Sequence, residues 1–217
     1  MPLALFDLDY TLLSGDSDHG WGHFLAERGV VDAETFMERS DHYLVEYDAG
    51  RLDMEEFLAF QLAPLAREPY ERLLALREEY LAEKIKPMIS DAARELVDSH
   101  RRQNHKLVVI TATNDFITRP IAGMFGIDQL IATELEFVDG AFTGKVVGVP
   151  CFREGKVTKL REWMARTGHD DLSGSWFYTD SRNDVPLLEQ VDHPVAVNPD
   201  AVLEQEALRR GWPIHRF

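Results

Sequence analysis

The chain has 217 residues, 45% of them hydrophobic, enough for one large globular domain or for one domain carrying a smaller one. Its formal charge of -15 repels a nucleic-acid backbone or an anionic membrane surface, so an anionic ligand needs local help from a metal cation or a lysine. The single cysteine, Cys151, excludes an internal disulfide, and no apolar run approaches the length of a membrane span, so the expectation is a soluble, cytoplasmic protein.

The first element is Leu3-Ala4-Leu5-Phe6-Asp7-Leu8-Asp9, a short apolar run that reads as a buried strand and ends on two carboxylates. If the chain turns after Asp7, the two acids splay around one point, where one can attack and the other handle protons. The same residues also fit a strand followed by a solvated acidic turn. Ser14-Gly15-Asp16-Ser17-Asp18 is then a cluster of turn and helix-capping residues. From about Trp21 to Ile85 the spacing is helical, with Gly29, Gly50 and Pro64 as breaks, which predicts about four helices packed as a small bundle.

Lys86-Pro87 is expected to close that block, and Ser90-Asp91 caps a helix reaching roughly His100. Leu107-Val108-Val109-Ile110 reads as a buried strand ending on Thr111-Ala112-Thr113. A helix with Ile117, Ile121 and Met124 follows, then short strands around Leu130-Ile131 and Leu135-Phe137, the latter turning at Asp139-Gly140 into Ala141-Phe142. Gly155-Lys156 opens a helix; Trp176-Phe177-Tyr178 is a strand ending on Thr179 to Asp184, followed by a helix from Val185; Pro194 to Val197 is the last strand, before a closing helix from Ala201 to Arg209. This alternation predicts an α/β fold with a doubly wound, mostly parallel Rossmann-like sheet. The expected core is 1–14 with 86–217, and 15–85 is an inserted all-helical cap.

Three of these strands end in polar clusters, at Asp7 and Asp9, at Thr111 with Ala112, and at Asp180 to Asp184, and ligands in open α/β sheets bind beyond the carboxyl ends of strands. The chemistry that suits them is phosphoryl transfer. Asp7 is the expected nucleophile and Asp9 the acid and base. Asp7 and Asp180 are expected to hold Mg²⁺, Lys156 to neutralise phosphate, Thr111 to donate to a phosphoryl oxygen, and Asn183 and Asp184 to support Lys156 or metal-bound water from behind. Blander roles are open to each: a solvated Lys156, Thr111 capping the next turn, Asn183 or Asp184 capping a helix. None of the eight histidines shows ligand-pair spacing; His19 and His23, four residues apart, are the only pair to name, open to a transition-metal site or, more simply, to partial exposure on the first cap helix.

Asp7-Leu8-Asp9-Tyr10-Thr11, Thr111, Lys156 and Asp180-x-x-Asn183-Asp184 resemble the four ordered motifs of the haloacid-dehalogenase-like (HAD) hydrolases. The helical insertion resembles the cap of their phosphoserine-phosphatase-like subgroup. The resemblance implies a phosphatase working through an aspartyl-phosphate, with Mg²⁺ on Asp7, the Asp9 carbonyl and Asp180. It also places Asp16 where that subgroup binds a substrate amine. Where the subgroup uses a cap arginine for a substrate carboxylate, this chain has Gln61. The substrate is therefore expected to be a small phosphorylated metabolite with an amine and no carboxylate, such as histidinol phosphate. Phosphoserine is the alternative, a receiver-like phospho-aspartate signalling module is the rival of another class, and the assembly is expected to be a monomer or homodimer. Asp16, His19, Trp21 and Tyr43 are the cap candidates for the pocket, with Arg119 and Arg182 as further candidates, and the cap is expected to gate the site.

Overall fold

A computed structural model describes residues 1–217, the side chain of Asp48 excepted. Its main sheet has the order β3-β2-β1-β6-β7-β8, with β1 (Leu3–Phe6), β2 (Lys106–Asn114), β3 (Gln129–Thr133), β6 (Trp176–Thr179), β7 (His193–Val197) and β8 (Ile214–His215). Every pairing in it is parallel. Successive side chains of β1 alternate between the faces: Ala4 and Phe6 enter one apolar core, Leu3 and Leu5 the other, which explains the unbroken apolar run of a strand buried on both sides. The helices α6 (Asp91–Arg102) and α7 (Asp115–Met124) cover the first face; α8 (Glu154–Thr167), α9 (Val185–Leu188) and α10 (Ala201–Arg210) cover the second. Strand β1 has β2 on one side and β6 on the other, so chain order reverses about it.

Between β1 and β2 stand the helices α1 (Ser17–Glu27), α2 (Ala33–Asp48), α3 (Met54–Arg67) and α4 (Tyr70–Tyr80). The chain enters and leaves this block side by side: Leu13 bridges Ile89, and Ser14 N–H donates to Met88 O at 3.0 Å. Beside it lies a two-stranded antiparallel hairpin, β4 (Leu135–Val138) and β5 (Ala141–Val146), with β5 packed against α3.

Several boundaries differ from the sequence expectations. Pro64 does not break α3; it is buried in the last turn, where burial of Phe60, Leu62 and Leu65 carries the helix on to Arg67. Lys86-Pro87 does not end the helical block either. A π turn over Leu81–Ile85 absorbs a change of register and α5 (Lys86–Met88) follows, with Pro87 at its start, where a missing N–H is tolerated. Strand β2 runs four residues past Ile110, with a register shift there, so Thr111 lies within the strand. The two-residue β8 carries too little periodicity to be read from sequence; it pairs with Ala196 and Val197 of β7 at the sheet edge.

Candidate active site

The carboxyl ends of β1, β2 and β6 converge as the sequence anticipates. Beyond β1, Tyr10 takes φ 53°, in the left-handed region that non-glycine residues rarely adopt, and the chain turns sharply there. Leu8 O accepts from the N–H groups of Leu12 and Leu13 at 2.9 and 3.0 Å, which tightens the turn. Asp7 is thereby left buried and Asp9 half-buried, side by side at the floor of a cavity.

Lys156 sits at the centre of the charge arrangement. Its ammonium donates to Asp7 Oδ1 at 2.8 Å and to Asp184 Oδ2 at 2.6 Å, and it is 3% exposed, so it is no solvated surface lysine. The start of α8 is delivered there by a close approach: a Cβ on Gly155 would stand 2.1 Å from Pro150 O. Burial works against the Lys156 charge, but Asp184 and Asp7 outweigh it and hold the ammonium well above its ordinary pKa. Burial conversely pushes the Asp7 carboxyl above the usual carboxylate range, against the pull of Lys156.

Asp184 also accepts from the Thr179 hydroxyl at 2.7 Å, and although it precedes α9 its side chain makes no capping hydrogen bond. Asn183, expected to support Lys156 or metal-bound water, accepts from Arg153 Nε at 3.1 Å through its Oδ1. Arg153 itself has φ 51°, and its guanidinium also donates to Gly50 O at 2.6 Å, tying the loop after α2 to the loop after β6. Tyr47 of α2 makes a second tie, its hydroxyl donating to Ser181 Oγ at 3.4 Å.

Asp9 is gripped from both sides. Ser17 N–H donates to its Oδ1 at 2.6 Å and the Thr113 hydroxyl to its Oδ2 at 2.8 Å. Burial, followed by the Asp16 charge, pushes Asp9 up to about 7 despite these bonds. Thr111 is buried and does not cap α7, whose cap is Asn114; its Oγ1 accepts from Thr113 N–H at 3.2 Å, which leaves the hydroxyl proton for another acceptor. Asp180 lines the same cavity and accepts from the Thr11 hydroxyl at 3.3 Å. Burial, then Asp7 and Asp184, hold Asp180 well above the usual carboxylate range.

The helices supply the opposite wall. Asp16 caps α1, its Oδ1 accepting from Asp18 and His19 N–H at 2.9 and 2.8 Å, and burial followed by the Asp18 charge raises it to about 6. Asp18 accepts from Gln61 Nε2 of α3 at 3.1 Å and from Asn114 Nδ2 of β2 at 3.2 Å. Burial, then Asp9, pushes Asp18 to about 7. Ala112, His19 and Tyr43 line the cavity as well. Trp21 does not: it is buried among Phe24, Tyr80 and Phe116. Arg119 is exposed beside Asp115, and Cys151 is a buried thiol against Ile131 O.

Sequence reasoning missed Thr113, Asp18 and Arg153. Thr113 follows Thr111 by two residues on one strand, a spacing that puts both on one face and could have flagged it. Arg153 left no such trace, because its partners at Gly50 and Asn183 are distant in the chain.

The HAD family model, described as haloacid dehalogenase-like hydrolase, matches residues 4–189. A histidinol-phosphatase of Neisseria meningitidis serogroup C (strain 8013) is 45% identical over 99% of this chain and 98% of its own length. A phosphoserine phosphatase of Mycobacterium tuberculosis (strain ATCC 25618 / H37Rv) is 35% identical over 99% of this chain and 70% of its own. Among solved structures, a protein of unknown function from Bordetella pertussis Tohama I superposes with a TM-score of 0.93 at 42% identity, covering 99% of this chain and 97% of that one. Ordered motifs along the chain, a family match over most of it and relatives that align with 99% of it agree: this chain belongs to the haloacid dehalogenase-like hydrolases and is one of their phosphatases.

Proposed function

We propose that the chain hydrolyses a small phosphomonoester carrying a cationic group and no carboxylate, with histidinol phosphate as the substrate, through an aspartyl-phosphate on Asp7. One observation carries the choice of substrate. Asp7, Asp9, Asp16, Asp18 and Asp180 all line the cavity, and Lys156 is the one lysine or arginine among the described residues that line it. Lys156 is committed to Asp7 and Asp184, so a substrate carboxylate would lie unpaired among acids, at heavy cost. An amine or imidazolium would instead meet Asp16 and Asp18. The relative named histidinol-phosphatase supports this reading, and the one named phosphoserine phosphatase supports the alternative.

A hard divalent cation fits the donor set, since Asp7, Asp180 and the Asp9 carbonyl offer only oxygen ligands, and Mg²⁺ is the cofactor of this reading. When bound, it supplies neutralisation of the phosphoryl oxygens. In the first half-reaction an Asp7 carboxylate oxygen bonds to phosphorus as the ester P–O bond breaks, and Asp9 gives its proton to the departing alkoxide. In the second, Asp9 takes a proton from the water that attacks phosphorus; the bond to Asp7 breaks and inorganic phosphate leaves. A group raised to about 7 suits both directions of proton transfer near neutral pH. Lys156 balances charge beside Asp7, and the Thr111 hydroxyl donates to a phosphoryl oxygen. Asp9, held beside the nucleophile by Ser17 and Thr113, favours turnover over the long-lived acyl-phosphate of a receiver module. Residues 15–85 act as the cap, with Arg153 to Gly50 and Tyr47 to Ser181 as its closed-state ties to the core at 1–14 and 86–217.

Phosphate release from a panel including histidinol phosphate and phosphoserine, with Mg²⁺ or EDTA, tests the proposal. Metal-dependent turnover that ranks histidinol phosphate first and vanishes in Asp7→Asn supports it. Preference for phosphoserine refutes the substrate assignment. A stable phosphorylated protein without turnover refutes the hydrolase reading.

A further inference from the structure

A second group of ligating side chains lies in the helical block. His19 and His23, one turn apart on α1, have ring centroids 4.2 Å apart. Asp41 of α2 places Oδ1 3.4 Å from His19 Nε2 and 3.5 Å from His23 Nε2. One ligand atom from each of the three lies within 4.8 Å of the others.

We propose that His19, His23 and Asp41 form a transition-metal site, for a borderline ion of the Zn²⁺ or Co²⁺ class, that joins α1 to α2 at the rim of the catalytic cavity. Bonds of 2.0–2.1 Å spread tetrahedrally put neighbouring ligand atoms about 3.3 Å apart, which the two Asp41 distances approach before any ion has drawn them in. The His19 ring is also prepared on its far side. His19 Nδ1 lies 3.0 Å from Ser40 Oγ, and an Nδ1–H donated there leaves a lone pair on Nε2, the tautomer a metal needs. His23 Nε2 is buried without a hydrogen-bond partner, a costly condition that a bound cation would remove.

The simpler account is an ion pair of Asp41 with protonated imidazoles. With His19 Nδ1–H donated to Ser40 Oγ, a neutral imidazole turns its Nε2 lone pair toward Asp41 Oδ1. A lone pair facing a carboxylate oxygen repels unless a cation stands between them. Two imidazoles and one carboxylate select a softer ion than Mg²⁺, so this site is chemically distinct from the all-oxygen set at Asp7 and Asp180. Three protein ligands leave a fourth position for water, and His19 also lines the catalytic cavity.

The test uses the full chain stripped with EDTA, supplied with excess Mg²⁺ to occupy oxygen sites, and titrated with Co²⁺. The wild type is expected to bind one equivalent with the intense visible absorption of four-coordinate, nitrogen-ligated Co²⁺, and Zn²⁺ to displace it. Asp7→Asn keeps that spectrum, whereas His23→Gln and Asp41→Asn weaken Co²⁺ binding by at least about tenfold. The Asp41 side chain is 63% exposed, so Asp41→Asn decides the matter if His23→Gln fails to fold. Absence of the intense band in wild type, its persistence at the same midpoint in Asp41→Asn, or its loss in Asp7→Asn would overturn the site.

Discussion

The Thr113 hydroxyl donates to Asp9 Oδ2 at 2.8 Å, so a residue absent from the recognised motifs holds the acid proposed to give and take the proton. Thr113→Val removes that donor with little change in volume. We expect kcat to fall by about ten- to a hundredfold, part of what general acid–base catalysis contributes. A hydrogen bond to the carboxylate favours its charged form, so its removal raises the Asp9 pKa, and the alkaline limb of the pH–rate profile should move to higher pH. An unshifted limb would show that Thr113 does not act through Asp9.

Lys156→Met leaves Asp7 and Asp184 buried together without their cation. Loss of one partner from a buried pair costs about 3–5 kcal/mol, and we expect a stability loss of that order at pH 8. The loss should shrink at pH 5, where protonation relieves the repulsion, and urea unfolding at the two pH values measures the difference.

Without metal, stability should fall as pH rises through the mildly acidic range. Folding raises Asp9 and Asp18 from 3.8 to about 7 and Asp16 to about 6. Between those limits the folded chain holds protons that the unfolded chain has released, so each pH increment costs folding free energy. Added Mg²⁺ should stabilise more strongly at pH 8 than at pH 5, because its ligands must be ionised. Melting temperatures across pH 4 to 8, with and without Mg²⁺, check both slopes; an apo Tm that climbs over that range contradicts the assignment.

Gly155→Ala and Gly123→Ala form a matched pair. The first drives a Cβ into Pro150 O at the start of α8, so overpacking of about 1–3 kcal/mol and displacement of Lys156 are expected, with a fall in kcat. The second meets nothing within 4 Å at an exposed position of α7 and should be stabilising by up to about 1 kcal/mol with activity unchanged. Chemical denaturation and turnover of both variants test whether the close approach at Gly155 positions the lysine.

Asp16→Asn keeps an N-cap of equal quality for α1 and removes only the charge. KM for histidinol phosphate should rise by about tenfold or more, with Tm above pH 6 unchanged or raised because a buried charge is lost, if Asp16 meets the substrate cation. An unchanged KM would leave Asp18 as the acid that does so.

Much of this protein was written locally. The apolar run before Asp7, the β-branched run before Thr111 and the aromatic run before Thr179 are strands because each is a short stretch that must be buried, and the polar residues follow them in the chain. Alternation of such strands with amphipathic helices dictates a parallel sheet, and a parallel sheet gathers its strand ends on one edge. Asp7, Asp9, Thr111, Lys156, Asp180 and Asp184 could therefore be named together from sequence. Tertiary structure decided what no local pattern encodes. Pro64 sits inside α3 because packing of its neighbours outweighs a lost backbone hydrogen bond, and Pro87 is accommodated at the start of α5, where a missing N–H is tolerated. Thr113 grips Asp9 across 104 residues, Arg153 reaches Gly50 across 103, and Gln61 turns to Asp18 across 43. Such contacts depend on the distance between side chains in space, which periodicity along the chain does not carry, and they determine how the acids around Asp7 are charged, held and shared with a substrate.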